Sequence, residues 1–359
     1  MKKRKGMIAA LILTLLLAAM SAGCGDANSK DLMLYLKFDE GSGLLVKDAS
    51  GHLPDTEMTY GFAHAAYMEN QDPQWRDEGI QNGCLLFDGS NTYINYNRKD
   101  ITVSGSALTI SVWIAPRTFE WDDPYAADNG TDSPTGIISQ SDKAANKGFL
   151  LGYERFGRLT FQVGTGDEWL TVWTNGDNLC KYEWNHVAAT FDSEAGDMCL
   201  YLNGQLAASR SVPQGAQIEG AAGKGLAVGR NMEAERLTAG FLNVASGYMD
   251  ELKVYSQAFT AEEIAGEYQA VKVPEIEFSR IWLQNLLAGD YTRPQFHGGP
   301  YQFRMNEPHA PVYYNGMYHL FYQANMTGSY FCIWRGALAF YFFRSDSGML
   351  RVYCKSLQI

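Results

Sequence analysis

Between residues 31 and 270 apolar and polar positions alternate in short runs, and the runs are separated by Gly, Asp and Asn at regular intervals. "LMLYLKFDE", "CLLFDGSNTYINY", "LTISVWIAP", "GFLLGYERFGRLTFQV", "WNHVAATFD" and "MCLYLNGQLAASR" each carry a two-residue period or a brief apolar run bounded by turn residues. That rhythm predicts short strands stacked as an all-β sandwich. Asp88-Gly89 and Asn203-Gly204 are hairpin signals, because Gly adopts the left-handed backbone that tight turns need. A single helix stands out in "TAEEIAGEYQA", where Thr260 and Glu263 have the spacing of a capping box ahead of apolar positions at helical intervals. Residues 271–292 then break the strand rhythm. Pro274 ends the helix, and "FSRIWLQNLLAGD" reads as an amphipathic piece of a structured linker.

Composition supports this reading and narrows the partners. The 359 residues are 46% hydrophobic, 13% aromatic and only 19% charged, far from the disordered class and long enough for two domains. The formal charge of -11, from 29 basic and 40 acidic residues, excludes a nucleic-acid binder that works by neutralising phosphates.

At the N-terminus "MKKRK" is followed by the apolar run "GMIAALILTLLLAAM" and then by "SAGC". The run is short for a membrane span and reads as an export signal over residues 1–23. The arrangement resembles a bacterial lipoprotein signal, which implies lipidation of Cys24, a tether over residues 24–30 and attachment to a membrane. Ser21 stands where such signals usually carry Leu. Loss of residues 1–23 would leave 25 basic against 40 acidic residues. The remaining cysteines, Cys84, Cys180, Cys199, Cys332 and Cys354, are too widely spaced for a zinc site and are read as core thiols. Cys180 with Cys199 is the pair an oxidising compartment would allow.

Taken in order, "LKFDEGSGLLVKDASG", "LLFDGSNTYI", "LTISVWIAP", "EWNHVAATFD", "LYLNGQL" and "GYMDELKVYSQAFTAEEI" resemble the LamG-like jelly roll of the concanavalin A-like lectin and glucanase class, over about residues 31–270. The resemblance implies a carbohydrate-binding or spacer role and a structural calcium. Asp39, Asp48 and Asp250 are the candidate calcium ligands, since they lie in the two motifs that meet if the first and last strands pair. The other reading of the same residues has Asp48 capping a turn and Asp250 anchoring a strand end. Trp113 and Trp184 fall in apolar strand patterns and are expected in the core. Trp121, Trp169 and Trp173 lie in looser context and are the candidates for a sugar-facing surface.

Residues 293–328 contain "RPQFH", "FRMNEPHAP" and "YYNGMYHLFYQ", which resemble the opening of glycoside hydrolase family 32, the invertase, inulinase and levanase enzymes. The resemblance implies the first blade of a five-bladed propeller, with Glu307 in the place of the nucleophile and Asn306 and Gln323 as substrate-binding positions. Glu307 replaces an aspartate of the family pattern, Arg304 a tryptophan, and His309-Ala310 an Asn-Gly pair. A retaining glycosidase needs a second carboxyl about 5 to 5.5 Å from the nucleophile. Among the 52 residues after Glu307 the only acid is Asp346, in "FRSDSGM", which matches neither later acidic motif of the family. The tail 329–359 is basic and aromatic, reads as free of blade-like turns, and is expected to be the product of a frameshift or truncation. The expectation is therefore an exported, lipid-anchored carbohydrate-active protein: a LamG-like sandwich ahead of an incomplete β-propeller fragment, β-fructosidase-like and inactive as it stands. The alternative is a stand-alone glycan-binding lipoprotein.

Overall fold

A computed structural model describes residues 31–59, 75–89, 92–97, 101–117, 119, 134–154, 157–233, 236–237, 240–241, 244–276, 304–314, 317–325, 338–346 and 349–356. The signal segment, Cys24, Trp121, Cys332 and the linker from 277 onward lie outside the described residues.

Two antiparallel sheets face one another. The eight-stranded sheet runs Gln205–Ser211, Asp197–Leu202, Asn185–Asp192, Ala107–Pro116, Ser246–Tyr255, Cys84–Asp88 and Trp75–Arg76, with Leu32–Leu36 also paired to Ser246–Tyr255. The six-stranded sheet runs Trp169–Asn178, Arg158–Thr165, Lys147–Tyr153, Thr135–Asp142, Leu226–Val228 and Ile94–Tyr96. Alternation decides which side chains meet between them. In "ALTISVWIAP" it sends Leu108, Ile110, Val112 and Ile114 inward, where they join Phe149, Leu151, Phe161, Val163, Val187 and Phe191 in one buried cluster.

The opposite face of the larger sheet is apolar too. Trp113 and Trp184 are buried, as the sequence suggests, but in a second cluster with Cys84, Leu86, Ala115 and Tyr248. The helix Ala261–Gln269 and the chain after it cover this face. Ile264 is fully buried, Tyr268 stacks on Trp113 at 5.7 Å between ring centroids, and Val271 and Ile276 pack on the same cluster. The capping box forms as read. The Glu263 N–H donates to the Thr260 hydroxyl at 3.2 Å, and the Thr260 N–H to a Glu263 carboxylate oxygen at 2.8 Å. The first and last strands do pair, from Leu32↔Tyr255 to Leu36↔Leu252.

The two turn signals part ways. Asn203 and Gly204 both take positive φ, 51° and 74°, and close a hairpin between Asp197–Leu202 and Gln205–Ser211. Asp88-Gly89 does not close one, because the strand before it belongs to the eight-stranded sheet and Ile94–Tyr96 to the six-stranded one. Gly89 has φ 79° and donates its N–H to the Ala245 carbonyl, so the turn carries the chain from one layer to the other. A local signal specifies a turn; it does not say which sheet the next strand joins.

Beyond the sandwich, Arg304–Tyr314, Met317–Asn325, Leu338–Asp346 and Met349–Ser356 form a four-stranded antiparallel meander in chain order. The tail, read from sequence as free of blade-like turns, supplies the last two of these strands. Its aromatic and β-branched residues favour extended backbone, and Leu338–Asp346 pairs with Met317–Asn325 from Met317↔Arg344 to Gln323↔Leu338.

Candidate functional site

Three groups of residues carry the candidate chemistry. The aspartates proposed as calcium ligands sit close to where the first and last strands meet, and each is engaged by the protein itself. Asp48, 8% exposed, accepts at one oxygen from the N–H groups of Tyr35 (2.9 Å) and Ser50 (3.0 Å). Its other oxygen accepts from the Ser50 hydroxyl (2.6 Å) and the N–H groups of His52 (3.0 Å) and Leu53 (2.8 Å). A carboxylate has about four lone-pair directions, so five donors leave none for a metal. Burial alone would raise this carboxyl, but the Ser50 hydroxyl and the surrounding N–H groups outweigh it and hold Asp48 below its usual range.

Asp250 is fully buried at a slip in strand register between Asp250 and Lys253. It accepts from the N–H groups of Ile80 (2.6 Å), Gln81 (3.3 Å) and Glu251 (2.8 Å). Burial, reinforced by the Glu251 charge, pushes its carboxyl up to about 8. Asp39 is exposed and holds the same loop from the other side, accepting from the Gly83 N–H at 2.9 Å and the Asn82 amide at 3.3 Å. Among the described residues no three His, Cys, Asp or Glu side chains converge as a metal site. The donor set thus does not fit calcium at Asp39, Asp48 and Asp250; the turn-capping and strand-anchoring roles account for their contacts.

The second group lies on the outward face of the six-stranded sheet. Trp169, Thr171 and Trp173 alternate along the edge strand and pair with Gly164, Gln162 and Thr160. Both tryptophans are half-buried. The Trp169 indole N–H donates to Gln162 at 2.8 Å, and the Arg158 guanidinium lies 4.7 Å from the Trp173 ring centroid. Gln162 and Arg158 were not legible as site residues, because their link to the tryptophans depends on strand register. This stretch of the face presents the two indoles and Thr171, with no carboxylate at 160, 162, 164, 169, 171 or 173.

A buried Ser-His-Glu arrangement also escaped the sequence reading. The His186 Nε2 is 2.9 Å from the Ser111 hydroxyl and 3.9 Å from Glu267. His186 is only 1% exposed, so no substrate reaches it, and burial, aided by Lys253, holds the imidazole down to about 4. It is a pin beneath the helix. Cys84, Cys180 and Cys199 are free thiols; Cys180 is exposed and Cys199 buried, so that pair is not formed.

The third group is the late hairpin. Asn306 and Gln323 face each other in register across Arg304–Tyr314 and Met317–Asn325. The next pair is Pro308↔Tyr322, so Glu307 is the extra residue of a bulge, and a second slip lies between His309 and Val312. Pro308 and Pro311 have no N–H to give the ladder, which is why the pairing breaks beside each of them.

Residues 88–265 match the model of the concanavalin A-like lectin/glucanases superfamily. Residues 297–338 match the N-terminal domain of glycosyl hydrolases family 32, ten residues past the boundary placed at 328. The late segment is 54% identical over 37 residues to an insoluble β-fructofuranosidase of Arabidopsis thaliana, covering 10% of this chain and 6% of that protein. It is 53% identical over 38 residues to a sucrose:sucrose 1-fructosyltransferase of Festuca arundinacea, covering 11% and 6%. The chain thus spans a small fraction of these relatives. Among solved structures, domain 4 of AbnA, a GH43 extracellular arabinanase from Geobacillus stearothermophilus in complex with arabinotriose, aligns at TM-score 0.43 and 19% identity, over 66% of this chain and 97% of that one. The sandwich is a concanavalin A-like domain of the lectin/glucanase class. More particularly, the chain joins that lectin/glucanase-like domain to a family 32 N-terminal fragment.

Proposed function

We propose that the protein is exported, is held at a bacterial membrane by a lipid on Cys24, and uses its sandwich to bind glycan beside a β-fructosidase-type module. The observation that carries this reading is the joining, in one chain, of a concanavalin A-like domain and a family 32 N-terminal match with Glu307 at its bulge. Glu307 stands at the nucleophile position, flanked by the paired Asn306 and Gln323. These 359 residues by themselves are not expected to hydrolyse a fructoside, because the second carboxyl that retention requires is missing from the family motifs they contain.

The test is fructose release from sucrose and inulin by the full chain. No release is expected; release that disappears on Glu307→Gln would overturn the inactive reading. Titration of the full chain against a glycan panel tests the binding role, which also stands if the sandwich alone is the working part. Labelling with a fatty-acid analogue should mark the wild type and spare Cys24→Ala, and equal labelling of both would refute the anchor.

A further inference from the structure

The edge strand Trp169–Asn178 carries two half-buried tryptophans four residues apart on one face. At roughly 3.3 Å per residue their backbones are about 13 Å apart, further than one sugar ring reaches and suited to a run of about three linked rings. Both indoles are held by residues of the adjoining strand Arg158–Thr165. Trp169 donates its N–H to the Gln162 amide oxygen at 2.8 Å, and the Gln162 amide donates to the Thr160 hydroxyl at 3.2 Å. That hydroxyl donates in turn to the Val172 carbonyl at 3.1 Å, and Gln162 and Thr160 are 2% and 0% exposed. Trp173 has Arg158 on its ring at 4.7 Å. Arg158 is itself fixed by the Thr174 carbonyl at 3.0 Å and by Glu154 at 2.8 Å. A surface ring held this way loses little side-chain freedom when a ligand stacks on it.

We propose that this strand is a two-point stacking platform for a neutral oligosaccharide of at least three rings lying along it. The proposal rests on the glycan-binding reading of the sandwich. Three features choose the ligand. The Arg158 charge is matched by Glu154, and the face between the tryptophans has no carboxylate, so nothing there selects a charged sugar. The small Thr171 between the indoles leaves clearance for a chain of rings to cross. The strand edge is closed to an added peptide strand at the Thr171 carbonyl, which accepts from Arg210 of the other sheet at 3.0 Å.

The experiment is calorimetric titration of the full chain with neutral fructo-, gluco- and arabino-oligosaccharides of one to six rings. Affinity for the recognised series should rise at least about tenfold between one and three rings and then level off, and Trp169→Ala and Trp173→Ala should each remove about that tenfold gain. Trp169→Phe, which keeps a ring, and Gln162→Leu, which frees the indole N–H, should each lose less than Trp169→Ala while melting as cooperatively as the wild type. A single ring binding as tightly as three, or alanine variants with unchanged affinity for a glycan that does bind, would overturn the platform and leave glycan binding intact. No binding to any glycan would overturn the reading beneath it as well.

Discussion

Replacing Asp48 tests whether this carboxylate is a turn organiser or a metal ligand. It collects four backbone N–H groups, from Tyr35, Ser50, His52 and Leu53, together with the Ser50 hydroxyl. Hydrogen bonds to a charged acceptor are worth about 1.5 to 3 kcal/mol each. With about 1 kcal/mol for each N–H in this partly solvated turn, Asp48→Ala should cost about 4 kcal/mol. Asp48→Asn keeps one acceptor oxygen and turns an NH₂ toward two of the donors, so about 2 to 3 kcal/mol is expected. For a domain of this size 1 kcal/mol moves Tm by about 2 to 4 °C, so the alanine variant should melt roughly 8 to 16 °C lower in a calorimetric or circular-dichroism scan. The pH profile adds a second reading. The Asp48 carboxyl is depressed in the folded state, so its contribution is present above the ordinary carboxylate range and is lost as pH falls through the depressed value. The variants should therefore lose less stability on acidification than the wild type. An Asp48→Asn protein within about 0.5 kcal/mol of wild type would refute the reasoning, as surface changes fall in that range. So would calcium that raises the wild-type Tm and leaves the variant unmoved.

Other expectations concern groups far from that turn. His186 is held down to about 4, so its contribution is full above the ordinary imidazole value and is lost as pH falls toward 4. Roughly 3 kcal/mol of acid sensitivity should vanish in His186→Gln, read from urea midpoints between pH 7 and 4. Asp250 has the opposite sign. Its carboxyl is pushed up to about 8, so its contribution is present below the ordinary carboxylate range and is lost as pH rises toward 8; Asp250→Asn should flatten that slope in the same titration. Thr260→Ala removes one arm of the capping box and should lower stability by about 1 kcal/mol, measured by chemical denaturation.

Much was legible in the order of residues alone. The two-residue period named the strands, because a strand's faces alternate whatever sheet it joins. Thr260 and Glu263 announced the helix start, because a cap is a contact within one turn of chain. "MNEPHAP" and the hairpin after it were recognisable because the pattern is contiguous.

What the tertiary structure decided depended on contacts between distant segments. Asp88-Gly89 reads like a hairpin, and only the assignment of the following strand to the other sheet makes it a crossing. Asp250 could be read as a metal ligand or as a strand anchor, and only the fold shows that the loop at Ile80 and Gln81, far earlier in the chain, donates into it. Trp113 and Trp184 were placed inside correctly, yet the sequence could not say that their interior lies beneath a helix on the outer face of a sheet. Trp169 and Trp173 were visible as aromatic residues in a loose context. Their contacts with Gln162 and Arg158 exist only because strand register brings the neighbouring strand alongside them. Local periodicity specifies which side of an element is apolar; which element it meets is settled by packing the whole chain at once.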